Sequence, residues 1–120
     1  MNISNRDITI LDKITGFCEE INKTIEYFGN DYEMFQKNSI YKNAISMCVL
    51  QIGELSGSLT EVFKSVYHEM PWREIKGLRN FVVHEYGNLD IAELWNTVQE
   101  DIPVLQSYCK KILSQIRVIV

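Results

Sequence analysis

The apolar residues of this chain recur at intervals of three and four, and that spacing constrains the fold more than any other feature. Near the start, Ile10, Leu11, Ile14, Phe17, Cys18, Ile21, Ile25 and Phe28 follow it; near the end, Val98, Ile102, Leu105, Cys109, Ile112 and Ile116 do the same. Such a period gathers the side chains into one stripe on an α-helix, which must then be buried against another element. No stretch shows convincing strand alternation, although "RVIV" at the C-terminus is β-prone and prone to fray.

Local punctuation divides the chain. Ser4 or Asn5 can cap the first helix, with Asp7 adding negative charge to its first turn, and Gly29 can stop it. A short turn or helix, "DYEMFQKN", follows. Ser39 can cap a second long helix with apolar positions Ile40, Ala44, Met47, Cys48, Ile52, Leu55, Leu59, Val62, Phe63 and Val66; "GELSG" lies inside it. The two glycines cost about 1 kcal/mol each against alanine. They leave a smooth face that admits another backbone, within the monomer or from a second subunit. Pro71 ends this helix and suits the start of a third, expected from Trp72 to Tyr86 and closed by Gly87. Asn88 or Asp90 can cap a fourth, carrying Ile91, Leu94, Trp95 and Val98, and Pro103 forces a kink or restart. The expectation is an all-α, up-and-down bundle of four to five helices, with residues 1–120 forming a single domain.

Composition narrows the function classes. The hydrophobic share of 46% and the charged share of 23% suit a globular chain, so disorder is not expected. The net charge of −4 opposes a polyanion, so any nucleic acid must meet a local basic patch. Cys18, Cys48 and Cys109 are odd in number and form no C-x-x-C pair. They read as buried, reduced thiols of a cytoplasmic protein. The N-terminus "MNISNRDITI" lacks a signal-peptide pattern, and no apolar run approaches the roughly 18 residues of a membrane span, so no membrane association is expected.

One stretch carries chemistry. "RNFVVHEYG" crowds Arg79, Asn80, His84 and Tyr86 around Phe81, Val82 and Val83. Five helical steps turn roughly 500°, leaving Arg79 and His84 about 140° apart, whereas Asn80 and His84 share a face. Arg79 and His84 meet at one place only if the helix is distorted or a second copy supplies partners, as in a two-fold dimer. A stop at Gly87 puts His84 in the last turn, where unpaired carbonyls favour a protonated imidazole. A histidine moves protons near neutral pH, and an arginine holds a phosphate and stabilises developing charge. Together they suit phosphodiester cleavage of RNA, whose 2′-hydroxyl is its own nucleophile. The spacing alone favours the plainer reading, a C-capping histidine and a solvated arginine.

Other patterns give less. "HEM" at His68 has no second histidine at zincin spacing, and two histidines sixteen residues apart without clustered cysteines make no zinc site, so no metal is expected. Glycine-rich phosphate loops are absent, and no cofactor is implied. Arg73, Lys76 and Arg79 recur every third residue as a basic ridge, either a solvated face or a guide for RNA.

The stretch fits R-x4-H-x-Y and resembles the signature of the HepT-like toxins of the HEPN superfamily. "QIGELSGSL", "MPWREIKGLRN" and "LDIAELWNTVQEDIPVLQSYCKKI" are similar to its surroundings. The resemblance implies a small HEPN-like helical bundle that forms a homodimer, with a composite, metal-independent RNase site between the motif helices. It also implies a minimal nucleotidyltransferase (MNT) antitoxin that transfers AMP from ATP to the motif tyrosine. Carried over, Arg79 and His84 are catalytic and Tyr86 is modified; helical proximity to His84 adds Asn80 as a supporting residue, and the basic ridge adds Arg73 and Lys76 as RNA contacts. Glu54 takes a structural or interface role. Two rivals stand beside this reading: a non-catalytic partner, or antitoxin, of a toxic nucleotidyltransferase, and a plain helical dimerisation module.

Overall fold

The computed structural model describes residues 3–79 and 88–119. It is all-α, with no strand among the described residues. The first helix, α1 (Asn5–Phe28), is capped by Ser4, whose hydroxyl accepts from the Asp7 amide. It ends at Gly29, whose φ of 111° belongs to the left-handed region that glycine enters without strain. Asp7 does more than charge the first turn. It is buried, and its carboxylate accepts from the Thr60 amide (2.9 Å), the Thr60 hydroxyl (2.7 Å) and the Ser4 hydroxyl (2.9 Å).

The expected single helix from Ser39 to Val66 is two. The longer, α3 (Ser39–Gly57), follows the short α2 (Tyr32–Lys37), and α4 (Glu61–Val66) restarts after it. The cap of α3 is Asn38 rather than Ser39, its side chain accepting from the Tyr41 amide. The break has a physical cause: Thr60 caps α4 through the Phe63 amide while Asp7 holds the Thr60 amide and hydroxyl, and both compete with continued helix. The buried face of α3 also differs from the expected one. Tyr41, Ile45, Cys48, Val49 and Ile52 are buried, whereas Ile40 (68% exposed) and Met47 (54%) face outward. This helix is apolar on most sides, so periodicity leaves its phase open and tertiary packing sets it.

The expected helix from Trp72 to Tyr86 is interrupted early. α5 (Trp72–Lys76) turns at Gly77, and Leu78 and Arg79 resume helical geometry; the remainder lies outside the described residues. α6 (Asn88–Asn96) includes Asn88 and Asp90, the two cap candidates. A π-helical turn (Thr97–Asp101) then leads into α7 (Ile102–Ile119). Pro103 is its cause: proline lacks the amide that a regular turn needs, and the wider turn lets Ile102 donate to the Thr97 carbonyl instead. The β-prone C-terminal "RVIV" is helical through Ile119.

Packing is organised around α1, which lies between α3 and α7, while α5 leans on α3. Arg6 donates to the Ser58 carbonyl at one end and Phe28 stacks on Tyr41 at the other, so α1 and α3 run antiparallel. Ile14, Cys18 and Ile21 of α1 meet Ile45, Val49 and Ile52 of α3 and Leu105, Cys109 and Ile112 of α7 in one core cluster. No helix among the described residues is long and apolar enough to cross a membrane.

Candidate functional site

Arg79 is placed by packing two turns upstream. Trp72 and Ile75 are buried; the Trp72 ring packs against Phe63 and Tyr108, and its indole donates to the Tyr67 carbonyl (2.8 Å). α5 also packs along α3, and the chain after Gly77 runs directly over the α3 surface at Gly53. A β-carbon placed on Gly53 would stand 2.8 Å from the Arg79 amide nitrogen, and 3.3 Å from both the Arg79 β-carbon and the Ile75 carbonyl oxygen. One on Gly57 would meet the Lys76 stem, 3.2 Å from its γ-carbon. The glycine pair therefore serves close packing within the monomer, as one of its two sequence readings has it.

A small polar cleft of about 170 Å³ results, lined by Gly53, Glu54, Gly57, Ser58, Lys76 and Arg79. The Arg79 guanidinium donates from Nη1 to Glu54 Oε1 at 3.3 Å, with the two side chains 47% and 51% exposed. An ion pair this open contributes about 0–1 kcal/mol. It engages one guanidinium nitrogen, so most of the five N–H donors stay available to a phosphate. The last turn of α3 lies beside the Lys76 stem, whose γ-, δ- and ε-carbons approach Gly57. Arg73 is exposed but does not line the cleft, so the ridge splits: Lys76 and Arg79 share one site and Arg73 stands apart.

Asn80, His84 and Tyr86 lie outside the described residues. The Glu54–Arg79 pair is what sequence reasoning missed: the residues are 25 apart, and only the glycines flanking Glu54 signalled that something approaches α3 there.

Among the described residues, the three cysteine thiols and the Tyr108 phenol are held in their protonated forms. Burial pushes the Cys18, Cys48 and Cys109 thiols up to about 12, and the nearby Glu20 carboxylate adds to the rise at Cys48. Thiols that stay protonated are poor nucleophiles. The Tyr108 hydroxyl donates to Glu69 (2.7 Å); burial and then this bond raise its pKa, and the same bond lowers that of Glu69. Among the described residues, no group of three or more His, Cys, Asp and Glu side chains could hold a metal ion.

Comparison with known proteins follows the same line. The model of the family described as "Ribonuclease HepT-like" matches residues 17–112. A Methanocaldococcus jannaschii protein bearing the name "Putative RNase" is 31% identical over 105 residues, covering 87% of this chain and 94% of its own length. One of the same description from Caldanaerobacter subterraneus is 30% identical, covering 88% and 92%. A Thermococcus cleftensis protein named "Probable ribonuclease HepT" is 41% identical over 61 residues, or 51% of this chain and 56% of its own. No solved structure matches.

Proposed function

From the premise that the chain belongs to the HepT-like ribonuclease family, we propose that it is the RNase toxin of a toxin–antitoxin pair. The observation that carries this reading is the seating of Arg79. The first residue of the R-x4-H-x-Y stretch stands at a solvent-open cleft beside Lys76, steadied by Glu54 yet with donors to spare.

In this reading the RNA 2′-hydroxyl attacks the adjacent phosphorus and the 5′-oxygen leaves, yielding a 2′,3′-cyclic phosphate. No metal is needed. Arg79 stabilises the charge that gathers on the phosphoryl oxygens. His84 moves protons, taking one from the attacking hydroxyl or giving one to the leaving oxygen. Asn80 supports His84, and Lys76 and Arg73 guide the RNA backbone. A homodimer brings two copies of residues 79–86 to one cleft and overcomes the angular separation of Arg79 and His84 on a single helix.

Tyr86 is the regulated position. A cognate MNT nucleotidyltransferase transfers AMP from ATP to its phenol, the phenolic oxygen bonding to the α-phosphorus as pyrophosphate and the phenol proton leave, and the new phosphate competes with RNA for Arg79 while the nucleotide blocks access. The test is expression of the chain alone and beside its neighbouring gene product, scoring growth and RNA integrity. Toxicity and RNA loss from the chain alone, relieved by the neighbour together with an AMP-sized mass on the Tyr86 peptide, are expected. Toxicity from the neighbour alone, relieved by this chain, instead makes the chain a non-catalytic antitoxin.

A further inference from the structure

We infer that Gly53 is a positioning residue for Arg79: the absence of a side chain there sets where the guanidinium stands. This rests on the ribonuclease reading and adds a residue to it.

The argument starts from the contact. The side-chain direction of Gly53 points at backbone, the Arg79 amide nitrogen at 2.8 Å, closer than real β-carbons approach a nitrogen. The atoms on the other side have little freedom to yield. Arg79 sits one residue after Leu78, which packs against the core, and Ile75, whose carbonyl lies 3.3 Å from the same point, is itself buried. Gly57 makes a contrast one turn later, where the atoms nearest a β-carbon belong to the flexible Lys76 stem.

The next residue on α3 completes the seat. Glu54 meets the guanidinium at 3.3 Å while Gly53 takes the backbone, so two consecutive residues of α3 contact Arg79 at both its ends. A methyl group at Gly53 pushes the Arg79 backbone outward and pulls the guanidinium off Glu54. It does this without weakening α3, because alanine suits a helix better than glycine does. A lost function therefore traces to the contact and not to the helix.

The test has two arms. In wild-type protein, NMR should show a cross-peak between the Gly53 α-protons and the Arg79 amide, and Gly53→Ala should shift the Arg79 amide and Nε–H resonances. Gly16→Ala, at a glycine with nothing within 4 Å, should shift neither. In RNA cleavage, Gly53→Ala should lower kcat on the order of 10- to 100-fold with KM much less affected, as misplacement by about an ångström does, while Gly16→Ala matches wild type. A missing cross-peak or unmoved Arg79 resonances overturn the inference whether or not the protein cleaves RNA. Full kcat in Gly53→Ala, or loss of its helical circular dichroism, also overturns it. Wild-type protein that shows the cross-peak but cleaves no RNA instead overturns the ribonuclease mechanism and leaves Gly53 without a catalytic role.

Discussion

The seam between α1, α3 and α7 and the contact between α3 and α5 are built by opposite means. The seam is filled: Leu11, Ile14, Ile21, Ile45, Ile52 and Cys109 are wholly buried and interlock from three helices. The α3–α5 contact is emptied: Gly53 and Gly57 remove side chains so that Arg79 and Lys76 lie close, under an ion pair open to water. Filling gives stability and tolerates small rearrangement. Emptying gives placement, and it leaves the charged groups free to change partners. The difference predicts that damage to the two regions is read by different assays.

The largest stability effect should come from the seam. Ile14→Ala should cost about 2–5 kcal/mol in urea unfolding, the range for removing a buried aliphatic side chain. A loss well under that range would mean that the seam is less tightly filled than the buried areas indicate. Next is the polar lock that ends α3. Asp7→Ala strips the Thr60 amide and hydroxyl of their acceptor and should cost about 1–3 kcal/mol. It should also let α3 run on toward α4, seen as altered hydrogen exchange at residues 58–60. An unchanged exchange pattern there would assign the break to Thr60 alone.

Alkaline pH should also strike the seam. The three thiols are raised from 9.0 to about 12, so the folded chain keeps protons that the unfolded chain sheds. Their contribution is complete below pH 9 and is lost as the pH rises towards 12, at up to about 1.4 kcal/mol per pH unit for each thiol. The unfolding free energy should fall across that window, less steeply in Cys109→Ala than in wild type. Equal slopes in the two proteins would remove the thiols from the account. The smallest stability effect should be at the emptied contact: Glu54→Gln should change the unfolding free energy by less than about 1 kcal/mol. A larger loss would make the ion pair part of the framework and erase the contrast between the regions.

How far the sequence foretold these regions follows the same division. The stripes of α1 and α7 were legible because their apolar residues keep one phase over many turns. The break at Ser58–Thr60 was not, since Leu55, Leu59, Val62 and Phe63 carry helical spacing straight across it while the partner that enforces it, Asp7, is 53 residues away. Pro103 announced a disturbance but not its form, because a kink, a restart and a π turn all accommodate a missing amide. At the site, Arg79 and Lys76 were legible as residue types and Gly53 and Gly57 as an approach surface. Their meeting was not, because tertiary packing of Trp72 and Ile75 decides what crosses α3 at Gly53. The roles of His84 and Tyr86 rest on the motif alone.

The most direct test is cleavage of a defined RNA by the purified chain in the presence of a chelator, comparing wild type with folded Arg79→Ala and His84→Ala. Wild type should cut and leave a 2′,3′-cyclic phosphate or its hydrolysis product. His84→Ala should lose roughly 10²–10⁴-fold, and Arg79→Ala about 10²–10³-fold. Undiminished cleavage by folded His84→Ala protein, or complete inhibition by the chelator, would contradict the account.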